Sequence, residues 1–444
     1  MDELTALASG FLSAEDSDHR VSLAIGSVVT LDGPMPDFDS LLSNLGERIK
    51  TCPRFAHRLR SHAFDHDAPE WVDDVDFDVA RHVKRLSLPS PGDEHELHRL
   101  VAEVMAWRMD RSRPLWEIWV MEGLRDGRWA MLLKVHSCIA HAVTIAHIVA
   151  GLSDEGIHLA PGGQLDSARR GEQCDVRPSA SSLNPITWMR GLWHVSKDVS
   201  RLASAVFDLL PSSATTPLNG PMTNLRRYSA ARVSLDDVHQ VCRVFDVTVA
   251  DVALAALTDS YRAYLIRHGH QPSAESLRTL MPDNASAMLA LLPVDDADSV
   301  GQLRVVHSRL SRARHAGREI GSAANHVPFP VAAWAMRLLT RLPQHSVAAV
   351  VTTASGPREP LHIMGRRVAA VTPVPPIAMQ LRSGVAVLSY AGDLFFGILA
   401  DYAAVPDADE LARGIESAVR RLVARSKRRN PTRDRKGLSL VVSA

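Results

Sequence analysis

Between Lys134 and Asp154 run 19 residues without a formal charge, VHSCIAHAVTIAHIVAGLS. That length approaches what a helix needs to cross a bilayer. A chain that places it in lipid and one that buries it in a core fold in different ways. The stretch holds His136, Ser137, His141 and His147, polar groups that hydrocarbon admits only at high cost. A membrane span is therefore rejected, and the stretch is read as part of a soluble core.

Its surroundings read as mixed structure. Just upstream, WEIWVMEGL and RWAMLLKVH are strand-like runs separated by RDG, which predicts a β-hairpin over 116–136. Beyond His141, VTIAHIVAGL is apolar and ends in Gly and Ser-Asp, as a buried helix would. Helical spacing also covers 41–52, stopped by Pro53, then 97–105, and 247–269 with Gly269 as a C-cap. LRTLMP, SAMLALLPV and VAVLSYAGDLFFGILADY read as strands, the last a hairpin across Ala391-Gly392-Asp393, and a closing helix follows Pro406. Strands and helices alternate in both halves, which predicts α/β layers.

At 444 residues, two domains are expected. The predicted boundaries are an N-terminal lobe at 1–160, a linker at 161–215, a second lobe at 216–424, and a basic, disordered tail at 425–444. Within the linker, Trp188, Leu192, Val195, Val199, Leu202, Val206 and Leu209 form one apolar stripe along a helix at 186–210. That helix either bridges the lobes or lies at a membrane interface, where Trp188, Trp193, Arg190 and Arg201 would suit it.

Lys+Arg and Asp+Glu both number 50, so no global field draws the chain to nucleic acid. The four cysteines are far apart and form no CxxC pair, which argues against a disulfide framework and suits a reducing compartment. The first residues, MDELTALASGFLSAEDSD, lack the basic and apolar regions of a signal peptide, so a cytoplasmic location is expected.

HSCIAH itself leaves a catalytic centre, a metal clip or a buried strand end open. A clip would use His136, Cys138 and His141, perhaps extended to His147, but His141 and His147 lie six apart and no carboxylate stands near to orient them. No metal and no cofactor is expected.

Longer stretches carry more information. PRF (53–55), WVDDVDFDVARHV (71–83), LPSPGDEHEL (88–97) and DRSRPLWEIWVMEGLRDGRWAMLLKVH (110–136) occur in the first half. LNGP (218–221), LLPVDDAD (291–298), GPREPLHIMG (356–365), PVPP (373–376) and LSYAGDLFFGILADYAAVPDADEL (388–411) occur in the second. In this order and spacing the chain resembles the bacterial wax ester synthase/diacylglycerol acyltransferase family, actinobacterial type, from about residue 5 to 422. The resemblance implies an α/β fold of two chloramphenicol-acetyltransferase-like, condensation-domain-like lobes around a central tunnel. It implies acyl-CoA as donor and diacylglycerol or a long-chain alcohol as acceptor, meeting at a motif HHxxxDG. The second histidine of that motif takes the proton of the attacking hydroxyl, a task suited to an imidazole whose pKa lies near working pH.

Three of the four diagnostic positions differ here. His136 matches the first histidine, Ser137 stands at the general base, Cys138 opens the variable positions, and His141 and Ala142 replace the aspartate and glycine. A serine hydroxyl is too weak a base, and loss of a positioned base costs about 10²–10⁴ in rate. Other departures are Ala250 before Asp251, where the family has NDV, Thr352-Thr353 in place of TN, and HRVSL (19–23) in place of an NPMH-like element. Ser137 and His141, four apart, would face each other on a helix, and Cys138 beside His136 or His141 is a second nucleophile–histidine combination. Trp116 and Asn284 are further candidates for the tunnel, against packing and turn-capping as their plainer roles.

The expected function is acyl-CoA-dependent O-acyl transfer toward triacylglycerol or wax ester, weakened at the base. The rival is an inactive relative that binds acyl-CoA or lipid, or regulates an active paralogue. The 186–210 helix and the basic tail leave contact with a membrane or lipid inclusion open.

Overall fold

The computed structural model describes residues 12, 15–16, 18–50, 53–60, 69–139, 142–156, 218, 220, 222–274, 276–282, 287–324, 349–377 and 381–429. The predicted helix at 186–210 and residues 430–444 of the basic tail lie outside the described residues.

The first part of the chain forms β1 (Ala24–Leu31), α1 (Phe38–Ile49), β2 (His57–Arg60), β3 (Glu70–Asp73), β4 (Val83–Ser87), α2 (Glu94–Ala106), β5 (Trp116–Glu122), β6 (Trp129–His136) and α3 (Ala142–Leu152). The second part forms β7 (Arg226–Ser234), α4 (Leu235–Phe245), α5 (Val249–Arg267), β8 (Arg278–Pro282), β9 (Ala287–Leu291) and α6 (Ser299–Ala324). It continues through β10 (Ala349–Ser355), β11 (His362–Ile363), β12 (Arg366–Val374), β13 (Ser383–Tyr390), β14 (Asp393–Asp401) and α7 (Ala408–Arg429).

Local chemistry explains several boundaries. Asp37 and Asp93 cap α1 and α2 by accepting the amides of Ser40 and Glu96, each at 3.0 Å. Thr248 and Asp251 form a reciprocal capping box at the start of α5. The predicted hairpin over 116–136 is present, with Trp116 opposite Val135 and Met121 opposite Ala130. The hairpin of β13 and β14 turns at Ala391-Gly392, both with positive φ. Helix α7 runs to Arg429, five residues into the stretch read as a tail, because buried Leu422, Val423 and Ser426 extend its inward stripe.

Two six-stranded sheets result. The first has the order β11-β12-β1-β6-β5-β4, the second β7-β14-β13-β10-β8-β9, and β2 and β3 form a separate ribbon. β6 is buried at all eight positions, so helices must cover both faces of its sheet. Lys134, fully buried within it, donates from Nζ to the carbonyl of Val104 at 2.8 Å and also to that of Trp107, and so caps the end of α2.

The second part of the chain lends strands to the first sheet. β12, from the second half of the sequence, pairs with β1 and completes the first sheet. At the crossing, Gly397 of β14 lies against β12 so closely that a Cβ would stand 1.6 Å from the Pro373 carbonyl oxygen. Tyr228 of β7 donates to that same oxygen at 2.9 Å. Tyr390 of β13 accepts the Leu361 amide at 2.8 Å and donates to the Val368 carbonyl at 3.0 Å, tying the second sheet to the β11–β12 hairpin. Tyr390→Phe strands a buried N–H and a buried C=O, and an unmade buried bond costs about 1–3 kcal/mol. The expected loss is about 1–2 kcal/mol, read as a lowered urea midpoint with an unchanged slope.

Candidate active site

Strand β6 delivers the motif to the end of the first sheet. His136 is its last residue and pairs with Ala24 of β1, while its amide donates to the Leu115 carbonyl at 3.0 Å. The Ser137 amide donates to the Leu23 carbonyl at 3.0 Å, and the Ile139 amide closes a turn on the His136 carbonyl at 2.9 Å. Residues 137–139 are therefore a turn, and α3 begins only at Ala142. A face shared by Ser137 and His141 would require a helix already formed at Ser137, and the chain has not entered one there. His141 and Asn284 lie outside the described residues.

The His136 ring is 2% exposed. Its Nδ1 accepts the Cys138 amide at 3.1 Å and lies 2.9 Å from Cys138 Sγ. With Nδ1 accepting, the ring proton of the neutral imidazole sits on Nε2. Nε2 lies 3.4 Å from Glu15 Oε1, close but without the alignment of a hydrogen bond.

Glu15 is 4% exposed and comes from the N-terminal segment. Its Oε1 accepts the Leu23 amide at 2.6 Å, and its Oε2 accepts from Arg111 at 3.2 Å. Burial works against its charge, but His136, the Leu23 amide and Arg111 together outweigh burial and hold the carboxyl at about 2.

Ser137 is buried, and its hydroxyl donates to the Leu23 carbonyl. Cys138 beside it is half-buried. Burial, with the Glu15 charge nearby, pushes its thiol up to about 12, so no thiolate is held at rest. Around it stand Leu12, Leu59, Trp71 and Leu115, with Met109 and Ile139 at the margin.

Trp116 opens β5. It is fully buried, its Nε1 donates to the Phe55 carbonyl at 2.8 Å, and its ring lies between Phe55 at 5.0 Å and His82 at 4.5 Å. Packed against these rings, the indole supports β5, the strand it opens. Sequence reasoning missed Glu15 and Leu23. Nothing in the local pattern of SAEDSD marks its first carboxylate as buried, and a backbone carbonyl has no signature at all. Asp251 lies buried and bonds His307 Nδ1 at 2.7 Å, so it serves the packing of α5 against α6.

Among the described residues, no group of three or more His, Cys, Asp or Glu could hold a metal ion. No described helix is long and apolar enough to cross a membrane.

Two six-stranded sheets, the first completed by strands from the second part of the chain, with a histidine turn at the end of a central strand, define a two-lobed α/β protein of the condensation-domain type. The first condensation domain of the CDA synthetase has this fold, with a TM-score of 0.58 at 14% identity over 95% of both chains. The wax ester synthase/diacylglycerol acyltransferase of Marinobacter aquaeolei VT8 has it with a TM-score of 0.70 at 23% identity, covering 96% of this chain and 100% of that one. Residues 4–253 match the wax ester synthase/diacylglycerol acyltransferase catalytic domain, and residues 283–423 match the C-terminal domain of the same family. The chain belongs to the wax ester synthase/diacylglycerol acyltransferase family of acyltransferases. Over 468 aligned residues it is 52% identical to the "Probable diacyglycerol O-acyltransferase tgs1" of Mycobacterium tuberculosis strain H37Rv, covering 100% of both chains.

Proposed function

We propose that the chain transfers a long-chain acyl group from acyl-CoA to the free hydroxyl of diacylglycerol, releasing CoA and forming triacylglycerol. A long-chain alcohol is the second acceptor, giving wax ester. The end-to-end similarity to a protein named for diacylglycerol acylation carries the choice of acceptor. Acyl-CoA is substrate in this reading and no cofactor takes part. Diacylglycerol is held in membranes and lipid inclusions, so the protein meets it as a peripheral visitor from the cytoplasm, with no role for nucleic acid.

His136 and the turn it opens are the centre of this reading. The serine at the base position lowers the rate, since Ser137 has no basic nitrogen and its hydroxyl is committed to the Leu23 carbonyl. Purified protein given labelled palmitoyl-CoA and diacylglycerol should form labelled triacylglycerol well above the no-enzyme rate. Hexadecanol in place of diacylglycerol should give wax ester more slowly. The same commitment of Ser137 favours the rival, a relative that retains acyl-CoA without using it. Saturable palmitoyl-CoA binding with no transfer to either acceptor would establish that rival and sink the catalytic proposal.

A further inference from the structure

Three ionisable side chains stand in line at the turn after β6. Glu15 Oε1 is 3.4 Å from His136 Nε2, and His136 Nδ1 is 2.9 Å from Cys138 Sγ. The Cys138 amide also points at Nδ1, which leaves the lone pair of the ring on the thiol side and its proton on the carboxylate side. That tautomer lets an imidazole receive a proton from a thiol. Carboxylate, imidazole and nucleophile in this order are how proteins activate weak nucleophiles, on many unrelated folds.

Access separates the two candidate nucleophiles. The Ser137 hydroxyl is buried against Leu23, whereas Cys138 is half-buried in an apolar surround of Leu59, Trp71 and Leu115. Such a wall suits the first methylenes of an acyl chain and excludes water from a thioester.

The geometry points to Cys138 as a covalent acyl carrier, which takes the acyl group from CoA and passes it to the acceptor hydroxyl. The inference rests on the acyltransferase reading above and states how that reaction proceeds without a histidine at position 137. In the first half, the Cys138 thiol proton moves to His136 Nδ1 as Sγ attacks the thioester carbonyl. The carbonyl–sulfur bond to CoA breaks, and the CoA sulfur leaves with the proton from His136. One thioester is broken and one is made. In the second half, the acceptor hydroxyl gives its proton to Nδ1 and attacks the Cys138 thioester. An ester forms, and the Cys138 sulfur regains its proton from His136. Because no thiolate stands ready, the proton must move as the carbon–sulfur bond forms, which makes the imidazole indispensable.

The test is intact-protein mass spectrometry after rapid quenching of the full chain with palmitoyl-CoA and no acceptor. The expected result is one added palmitoyl group, removed by hydroxylamine, mapped to Cys138, and accompanied by a burst of CoA of about one equivalent. Cys138→Ala should lose the adduct and about 10²-fold or more of the acyl transfer rate. Ser137→His combined with Cys138→Ala should transfer without an adduct, because a histidine at 137 can serve the direct route. A wild-type enzyme that turns over with no trapped adduct overturns the covalent route and leaves the acyltransferase reading intact. A wild-type enzyme that yields neither adduct nor ester overturns both. The wild-type spectrum decides the matter even if Cys138→Ala fails to fold.

Discussion

Ser137→His is expected to raise the rate of acyl transfer to diacylglycerol by about 10²–10⁴-fold, the usual worth of a positioned general base. Position 137 follows directly on the strand-end histidine, where the family motif carries its base. The acceptor that now binds the Ser137 hydroxyl, the Leu23 carbonyl, is also suited to hold a histidine. An imidazole there can donate Nδ1–H to Leu23, which fixes the tautomer and leaves Nε2 unprotonated for the incoming hydroxyl. The measurement is kcat at saturating palmitoyl-CoA, together with the pH profile. A new ascending limb near the ordinary imidazole pKa of about 6.5 should accompany the gain. Ser137→Gln has similar bulk and can reach the same carbonyl but has no titrating nitrogen, so it should show no gain. A folded Ser137→His protein that binds acyl-CoA yet transfers no faster would mean that position 137 does not face the reacting hydroxyl.

What could be read in the sequence divides along physical lines. The hairpin over 116–136 was legible because RDG between two apolar runs is a local turn signal. The helices read over 41–52 and 97–105 were legible because apolar periodicity is local too, while their caps, Asp37 and Asp93, emerged only in the structure. β1 and β12 were not. Their partnership joins Gly26 to Val374 across almost the whole chain, and no short-range pattern encodes a register of that kind. The same contrast holds at the site. His136, Ser137 and Cys138 are contiguous and announced themselves, and the resemblance to a known motif assigned them roles. Glu15, whose Oε1 lies 3.4 Å from His136 Nε2, is brought there only by the fold. Trp116 takes the plainer of its two roles, packing, with its indole stacked on Phe55 and His82. The i, i+4 pairing of Ser137 with His141 requires a helix already formed at Ser137, and residues 137–139 are a turn.

Glu15 gives the site a dependence on pH that Glu15→Gln should expose. An ordinary glutamate titrates near 4.5, and in the folded protein this one is held at about 2. The folded state therefore binds its proton less readily than the unfolded chain does. The ionised carboxylate contributes stability in full above 4.5, and the contribution is lost as pH falls toward 2. At about 1.4 kcal/mol for each tenfold difference in proton affinity, the full contribution is about 3 kcal/mol. Glu15→Gln keeps the shape and can still accept the Leu23 amide, but it forfeits the charge that faces His136 and Arg111. Urea unfolding at pH 6 should place the wild type about 3 kcal/mol above Glu15→Gln, and by pH 3 the difference should shrink to about 1–2 kcal/mol. The two curves converge because the wild type loses stability faster, not because the variant gains any. Glu15 also anchors the segment that carries Leu12 into the cluster around Cys138, so Glu15→Gln should loosen that segment and raise the alkylation rate of Cys138 above that of the wild type at one fixed pH, before global unfolding. A difference that stays constant from pH 6 to 3 would mean that folding does not shift the proton affinity of Glu15, and the electrostatic account of this site would then have to be rebuilt.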